Sequence, residues 1–175
     1  MKWLIAIGTL ALTAAAASLF VTYIPTESSV LPREVRPFDE SADAGRDVAL
    51  ATARAKANGK LLLLEFGGNW CPYCRALGGL MQSPEVKDVI ARHYELVWID
   101  VGRAEKNLDL FERYGLSLEA VPSTLVIDPT TDKVRNLDEI VADDEGNASS
   151  AKVQAAWLLR MAKRPELKSG IGNHS

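Results

Sequence analysis

The chain has 175 residues, 47% of them apolar, and a formal net charge of -3 from 20 basic and 23 acidic side chains. That length suits one domain of ordinary size plus an extension, and the apolar share is enough to fill its core. Positive and negative side chains are interspersed, with no Lys/Arg block long enough to follow a phosphate backbone, so the pattern excludes nucleic acid as a partner.

After Lys2, the run from Trp3 to Ile24 is uncharged and mostly apolar, about 33 Å long if helical and therefore able to cross a bilayer. It reads as an export segment with two possible fates. Ala15, Ala16 and Ala17 are the small residues a signal peptidase accepts, whereas Leu19 to Ile24 prolongs the apolar run as a membrane anchor would. Either fate puts the remainder in an oxidising periplasmic or extracytoplasmic compartment. Residues 25–40 contain three prolines, two serines and mixed charges without a period, and read as an extended linker.

Ser41 to Asn58 is rich in alanine, arginine and lysine, with Gly59 where a left-handed helix terminator is expected, and predicts a helix. Leu61 to Phe66 is short and continuously apolar, as a strand covered on both faces would be. Trp70-Cys71-Pro72-Tyr73-Cys74 follows, and Arg75 to Gln82 continues as a helix. Ser83-Pro84 resembles an N-cap with proline at the first helical position, and Val86, Val89, Ile90 and Tyr94 share one face of the helix it opens. Leu96 to Val101 predicts a second strand, and Asn107 to Tyr114 a short helix closed by Gly115. Ser123 to Ile127 is a third strand, and Lys133 to Asn136 a fourth, antiparallel to it across the turn Asp128 to Asp132. Asp138 to Gly146 is an acidic, solvated loop. Ser150 to Lys163 is amphipathic, with Val153, Trp157 and Met161 at fourfold spacing, and Pro165 ends it. The domain therefore runs over residues 41–165, with 166–175 as a tail.

Cys71 and Cys74 are the only cysteines. A bridge between them would close too small a loop to constrain the unfolded chain, so its value is chemical. At the start of a helix the amide donors and macrodipole favour a negative sulfur, which suits a redox pair. Metal binding is the competing use of two thiolates, but zinc normally takes four ligands and the chain adds only His93 and His174. Arg75 stands where haem attachment would need histidine. Glu65, six residues before Cys71 and inside an apolar strand, would be expensive to bury as a charge without a partner or a task.

The order strand, helix, strand, helix, strand, strand, helix, with a dithiol at the first strand-to-helix junction, resembles the thioredoxin fold: an α/β domain with a mixed central sheet flanked by helices. Lys60 to Cys74 (KLLLLEFGGNWCPYC) is similar to the active-site strand and turn of thioredoxin-family proteins. Val121-Pro122-Ser123-Thr124 looks like their cis-proline loop, and Ser83-Pro84-Glu85-Val86 is similar to periplasmic members that act on exported proteins. The resemblance implies that Cys71, at the exposed helix start, is the attacking thiolate and Cys74 the resolving thiol. It further implies that Glu65 relays a proton to or from Cys74, and that Pro122 is cis, leaving Val121 to pair with an extended substrate. Pro72 at the first helical position frees the amides of Tyr73 and Cys74 to face the sulfur. Trp70 would cover one side of the pair and exclude water, so Trp70, Pro72, Tyr73 and Val121 form the implied substrate contacts.

Many thioredoxins give the buried acid a lysine on the neighbouring strand; here the matching position is Leu96, which implies a more strongly perturbed Glu65. The dipeptide between the cysteines looks like that of glutaredoxins, yet Ser123 to Asp128 reads STLVID and lacks the glycine pair and acid that hold glutathione. Residues 25–40 are too few for the dimerisation domain of V-shaped disulfide isomerases. The implied protein is a monomeric, exported thiol-disulfide oxidoreductase without a cofactor, exchanging electrons with protein substrates and with a membrane or periplasmic redox partner. The alternative is a thioredoxin-fold module that binds a client or a metal ion without turnover.

Overall fold

The computed structural model describes residues 35–140 and 150–165. The expected export segment, most of the linker, most of the acidic loop and the tail lie outside the described residues. Among the described residues, no helix is long and apolar enough to cross a membrane.

Helix α1, Ala44–Asn58, starts where the Asp43 carboxylate accepts the Arg46 amide and stops where Gly59 turns left-handed at φ 66°, a conformation open to glycine at little cost. It begins later than Ser41 because Ser41 is held in a turn, donating both its amide and its hydroxyl to Asp39. Strand β1, Leu61–Gly67, is buried along its whole length. It is followed by α2, Pro72–Leu80, α3, Pro84–His93, and β2, Tyr94–Asp100. A single turn of helix, α4, Asp109–Glu112, leads to β3, Ser123–Asp128, then β4, Lys133–Val134, and α5, Ala151–Lys163. The sheet order is β2-β1-β3-β4, with β1 and β2 parallel and the other pairs antiparallel.

Alternation along β1 divides the core in two. Leu62, Leu64 and Phe66 pack with Val48 and Ala51 of α1, Phe111 of α4, and Ile99, Leu125 and Ile127. Leu61 and Leu63 face Leu77, Val86, Val89, Trp157, Leu158 and Met161 from α2, α3 and α5. Each fully buried leucine contributes about 1.5–3 kcal/mol. Glu65 continues the second row, so the sheet carries a carboxyl group into the layer beneath α2.

Four local expectations change. Tyr94 opens β2 instead of ending a helical face, and its hydroxyl donates to the Leu158 carbonyl at 2.6 Å. The fourth strand stops at Val134, because the Asn136 side chain takes over the pairing, accepting the Val126 amide and donating to the Thr124 carbonyl, both at 2.8 Å. Ser83 precedes α3 as expected but makes no side-chain cap, its hydroxyl being buried without a hydrogen bond. Val153 is 38% exposed, so of the expected face Trp157 and Met161 are buried, and Gln154, Ala155 and Leu158 join them in place of Val153.

Candidate active site

Cys71 is the N-cap of α2, with extended backbone at φ -82° and ψ 120°, and Pro72 takes the first helical position. Because proline has no amide hydrogen to satisfy there, the turn closes without loss. The Cys74 amide donates to Cys71 Sγ at 3.4 Å, and the Cys71 thiol points at the Val121 carbonyl at 3.7 Å. One sulfur thus faces both a helical amide and the loop that ends in Pro122. The Val121–Pro122 peptide bond is cis, and Pro122 is buried.

The sequence leads one to expect an exposed Cys71, but only 4% of it is exposed. Long-range packing closes over it, with Phe38, Trp98 and Val121 forming one apolar cluster with the two cysteines. Its opening is a groove of about 430 Å³ lined by residues that include Trp70, Tyr73, Arg103, Leu118 and Val121. Tyr73, 61% exposed, stands at the rim. Trp70 is 45% exposed and belongs to the groove wall, with Nε1 bonded to the Gly102 carbonyl at 2.5 Å and the Arg103 guanidinium 5.1 Å above its ring. Phe38 and Trp98 pack directly on the cysteine pair, while Trp70, expected to cover one side of it, lines the groove beside Cys71.

Cys74 has no exposed surface. Burial pushes its thiol well above the usual range, and its hydrogen bond with Cys71 pushes it further. Gly67 makes this fit possible, since a Cβ there would lie 2.7 Å from Cys74 Sγ.

Glu65 is fully buried, and burial raises its carboxyl from about 4.5 to about 8. In register it lies between Trp98 of β2 and Thr124 of β3, while Leu96 lies opposite Leu63. No neighbour in that row is a cation. Thr124 Oγ1 donates to Glu65 Oε2 at 2.7 Å, and among the described residues Oε1 has no hydrogen-bond partner. The negative form of Glu65 also disfavours ionisation of Cys74, so the two groups share an electrostatic site.

Sequence reasoning missed Phe38, Asn69, Trp98 and Thr124. Trp98 has a signal in hindsight, since alternation places it on the Glu65 face of β2. Phe38 has none, standing alone among prolines and charges. Among the described residues, no three His, Cys, Asp or Glu side chains group as a metal site would require.

The profile of a family described as thioredoxin-like matches residues 43–129. No curated protein sequence matches the chain. Among solved structures, a disulphide isomerase from Xylella fastidiosa Temecula1 is 30% identical with a TM-score of 0.61, over 74% of this chain and 99% of that one. The oxidised C-terminal domain of DsbD from Neisseria meningitidis is 20% identical with a TM-score of 0.49, over 68% of this chain and 96% of that domain. The match to the Xylella structure along almost its whole length, together with the profile, establishes that the chain belongs to the thioredoxin-like family.

Proposed function

We propose that the protein is an exported thiol-disulfide oxidoreductase that exchanges disulfides with extracytoplasmic proteins through Cys71 and Cys74. The observation that carries this reading is the asymmetry of the pair: Cys71 opens on a groove and accepts a helical amide, while Cys74 is sealed behind it. The likeness to a chain described as a disulphide isomerase supports exchange with protein substrates.

In the reducing direction the Cys71 thiolate attacks a client disulfide, forming a mixed disulfide and releasing one client sulfur as a thiolate. Cys74 then loses its proton and attacks Cys71 Sγ, which breaks the mixed disulfide and releases the second client sulfur. The client gains two electrons and two protons, and the enzyme is left with a Cys71–Cys74 disulfide, which a dithiol partner in the membrane or periplasm reduces. The oxidising direction is the same sequence reversed. Val121 presents its backbone to an extended client segment beside Cys71, and Pro122 offers no competing amide donor. Trp70, Pro72 and Tyr73 form the contact surface around the sulfur.

Glu65 is the proton carrier for Cys74. Its carboxylate accepts the Cys74 proton in resolution, and its protonated form returns a proton in the reverse step. The apolar run from Trp3 to Ile24 serves as export signal or anchor, and the domain acts as a monomer. Direction is set by the potential relative to the partner, which among dithiol proteins of this kind runs from about -270 to -120 mV.

Insulin reduction with dithiothreitol as donor tests the reading. We expect turnover by the native chain and none above background by Cys71→Ser. Identical traces from the two would overturn it in favour of a non-catalytic binding module.

A further inference from the structure

The segment Val35–Glu40 ahead of α1 is built against the dithiol. Phe38 is its one buried residue, 4% exposed between neighbours that are half-buried or exposed. Its ring meets Trp98 edge-on at 5.2 Å and joins the cluster that holds Cys71 and Cys74. A Cβ on Gly67 would lie 2.7 Å from Phe38 Cζ as well as 2.7 Å from Cys74 Sγ, so ring and sulfur press on the same bare backbone. A Cβ on Gly78 of α2 would lie 2.8 Å from Pro37 Cγ, so the segment also lies close along the helix that carries Cys74.

Burying Phe38 buries its backbone, whose polar groups then need partners. Asn69, two residues before Cys71 and itself 5% exposed, supplies both. Its Oδ1 accepts the Phe38 amide at 3.3 Å, and its Nδ2 donates to the Phe38 carbonyl at 2.7 Å and to Glu40 Oε1 at 3.0 Å. Lys106 Nζ adds a bond to the Glu40 carbonyl at 3.2 Å. A side-chain amide that grips a residue from both sides imitates a strand partner and fixes where the ring falls.

We propose that Phe38, clasped by Asn69, is a positioning residue that seals Cys74 from water and bulk thiols, so that Cys74 reacts only with a disulfide formed on Cys71. This rests on the reading of Cys74 as the resolving thiol. The ionisable groups facing Cys74 are Cys71 from its own helix and Glu65 from β1; β2 offers the Trp98 ring and the segment the Phe38 ring, neither of them charged. Removing the ring therefore changes solvation around the sulfur without removing a charge.

The test is the rate of Cys74 alkylation by iodoacetamide from pH 6 to 10 in the full-length Cys71→Ser chain, with Phe38→Ala, Phe38→Leu and Asn69→Ala added singly. We expect Phe38→Ala and Asn69→Ala to react at least tenfold faster, with their rise in rate beginning at lower pH, and Phe38→Leu to restore most of the shielding. Circular dichroism selects folded variants, and Asn69→Ala, which keeps every apolar core side chain, decides the matter if Phe38→Ala does not fold. Rates within twofold of the parent across the whole pH range in the folded variants would overturn the proposal. Failure of the native chain to reduce insulin would count against the oxidoreductase reading and leave the alkylation result standing by itself.

Discussion

Two fully buried polar side chains flank Thr124, and the fold treats them oppositely. Asn136 uses its whole amide: Oδ1 accepts the Val126 amide, and Nδ2 donates to the Thr124 and Glu139 carbonyls. Among the described residues Glu65 receives one bond, from the Thr124 hydroxyl, and its other oxygen has none. Around Asn136 the charged groups are paired as well, with Arg135 bonded to Asp128 through one guanidinium nitrogen and Glu139 bound by Trp157 and Arg160, although Arg135 Nε is buried without a partner among the described residues. Full satisfaction makes a polar group structural, whereas an unsatisfied buried carboxyl destabilises the fold unless it keeps its proton. The flank far from the cysteines is locked, and the end beside them holds a group poised to exchange a proton.

The largest expected effect lies on the locked side. Asn136→Ala removes three hydrogen bonds and leaves the Val126 amide and the Thr124 carbonyl buried without their partner, each orphaned group costing about 1–3 kcal/mol. Urea unfolding should show a loss of about 4 kcal/mol, with the rate of mixed-disulfide resolution unchanged in the folded fraction.

Substitution at Glu65 should act in the opposite direction. The native group keeps its proton until about pH 8, whereas in the unfolded chain it ionises from about pH 4.5. Between those values the unfolded state holds fewer protons than the fold, so the Glu65 contribution is fully present below pH 4.5 and declines as pH rises to 8. Glu65→Gln lacks this loss and should gain roughly 3 kcal/mol over the native chain at pH 7, with the gain vanishing near pH 4. In the same variant, resolution should slow and lose the rise with pH that an ionising carboxylate gives. Equal stability curves at both pH values would show that burial does not hold the proton.

The smallest change is expected at Thr124, which lies between Glu65 and Asn136. Thr124→Val deletes the bond to Glu65, which favours the carboxylate. It should cost about 1 kcal/mol and shift the resolution pH profile upward, because the charged form loses its only donor. A downward shift would mean that Thr124 does not stabilise that form.

The parts governed by local rules were legible in the sequence. The apolar run of β1, the left-handed Gly59 and Pro72 at the first position of α2 each follow from backbone chemistry, and each stands where it was expected. Tyr94 was misplaced because an aromatic residue one helical turn after Ile90 satisfies the helical period as well as the strand alternation. The burial of Cys71 and the cover over Cys74 depend on Phe38, Trp98 and Val121, which are distant in the chain and converge only in the folded sheet. Glu65 could be flagged as a buried acid from its apolar strand, but its partner could not, since Thr124 meets it through antiparallel register alone.

The proposed exchange divides the labour between a capturing Cys71 and a resolving Cys74. The most direct test is to mix reduced Cys74→Ala with a disulfide-bearing client protein and measure intact mass without reductant. The expected result is a stable one-to-one adduct through Cys71, released by dithiothreitol and missing when Cys71→Ser is combined with Cys74→Ala. No adduct with Cys74→Ala, or an equal adduct through Cys74 in the Cys71→Ser chain, would contradict it.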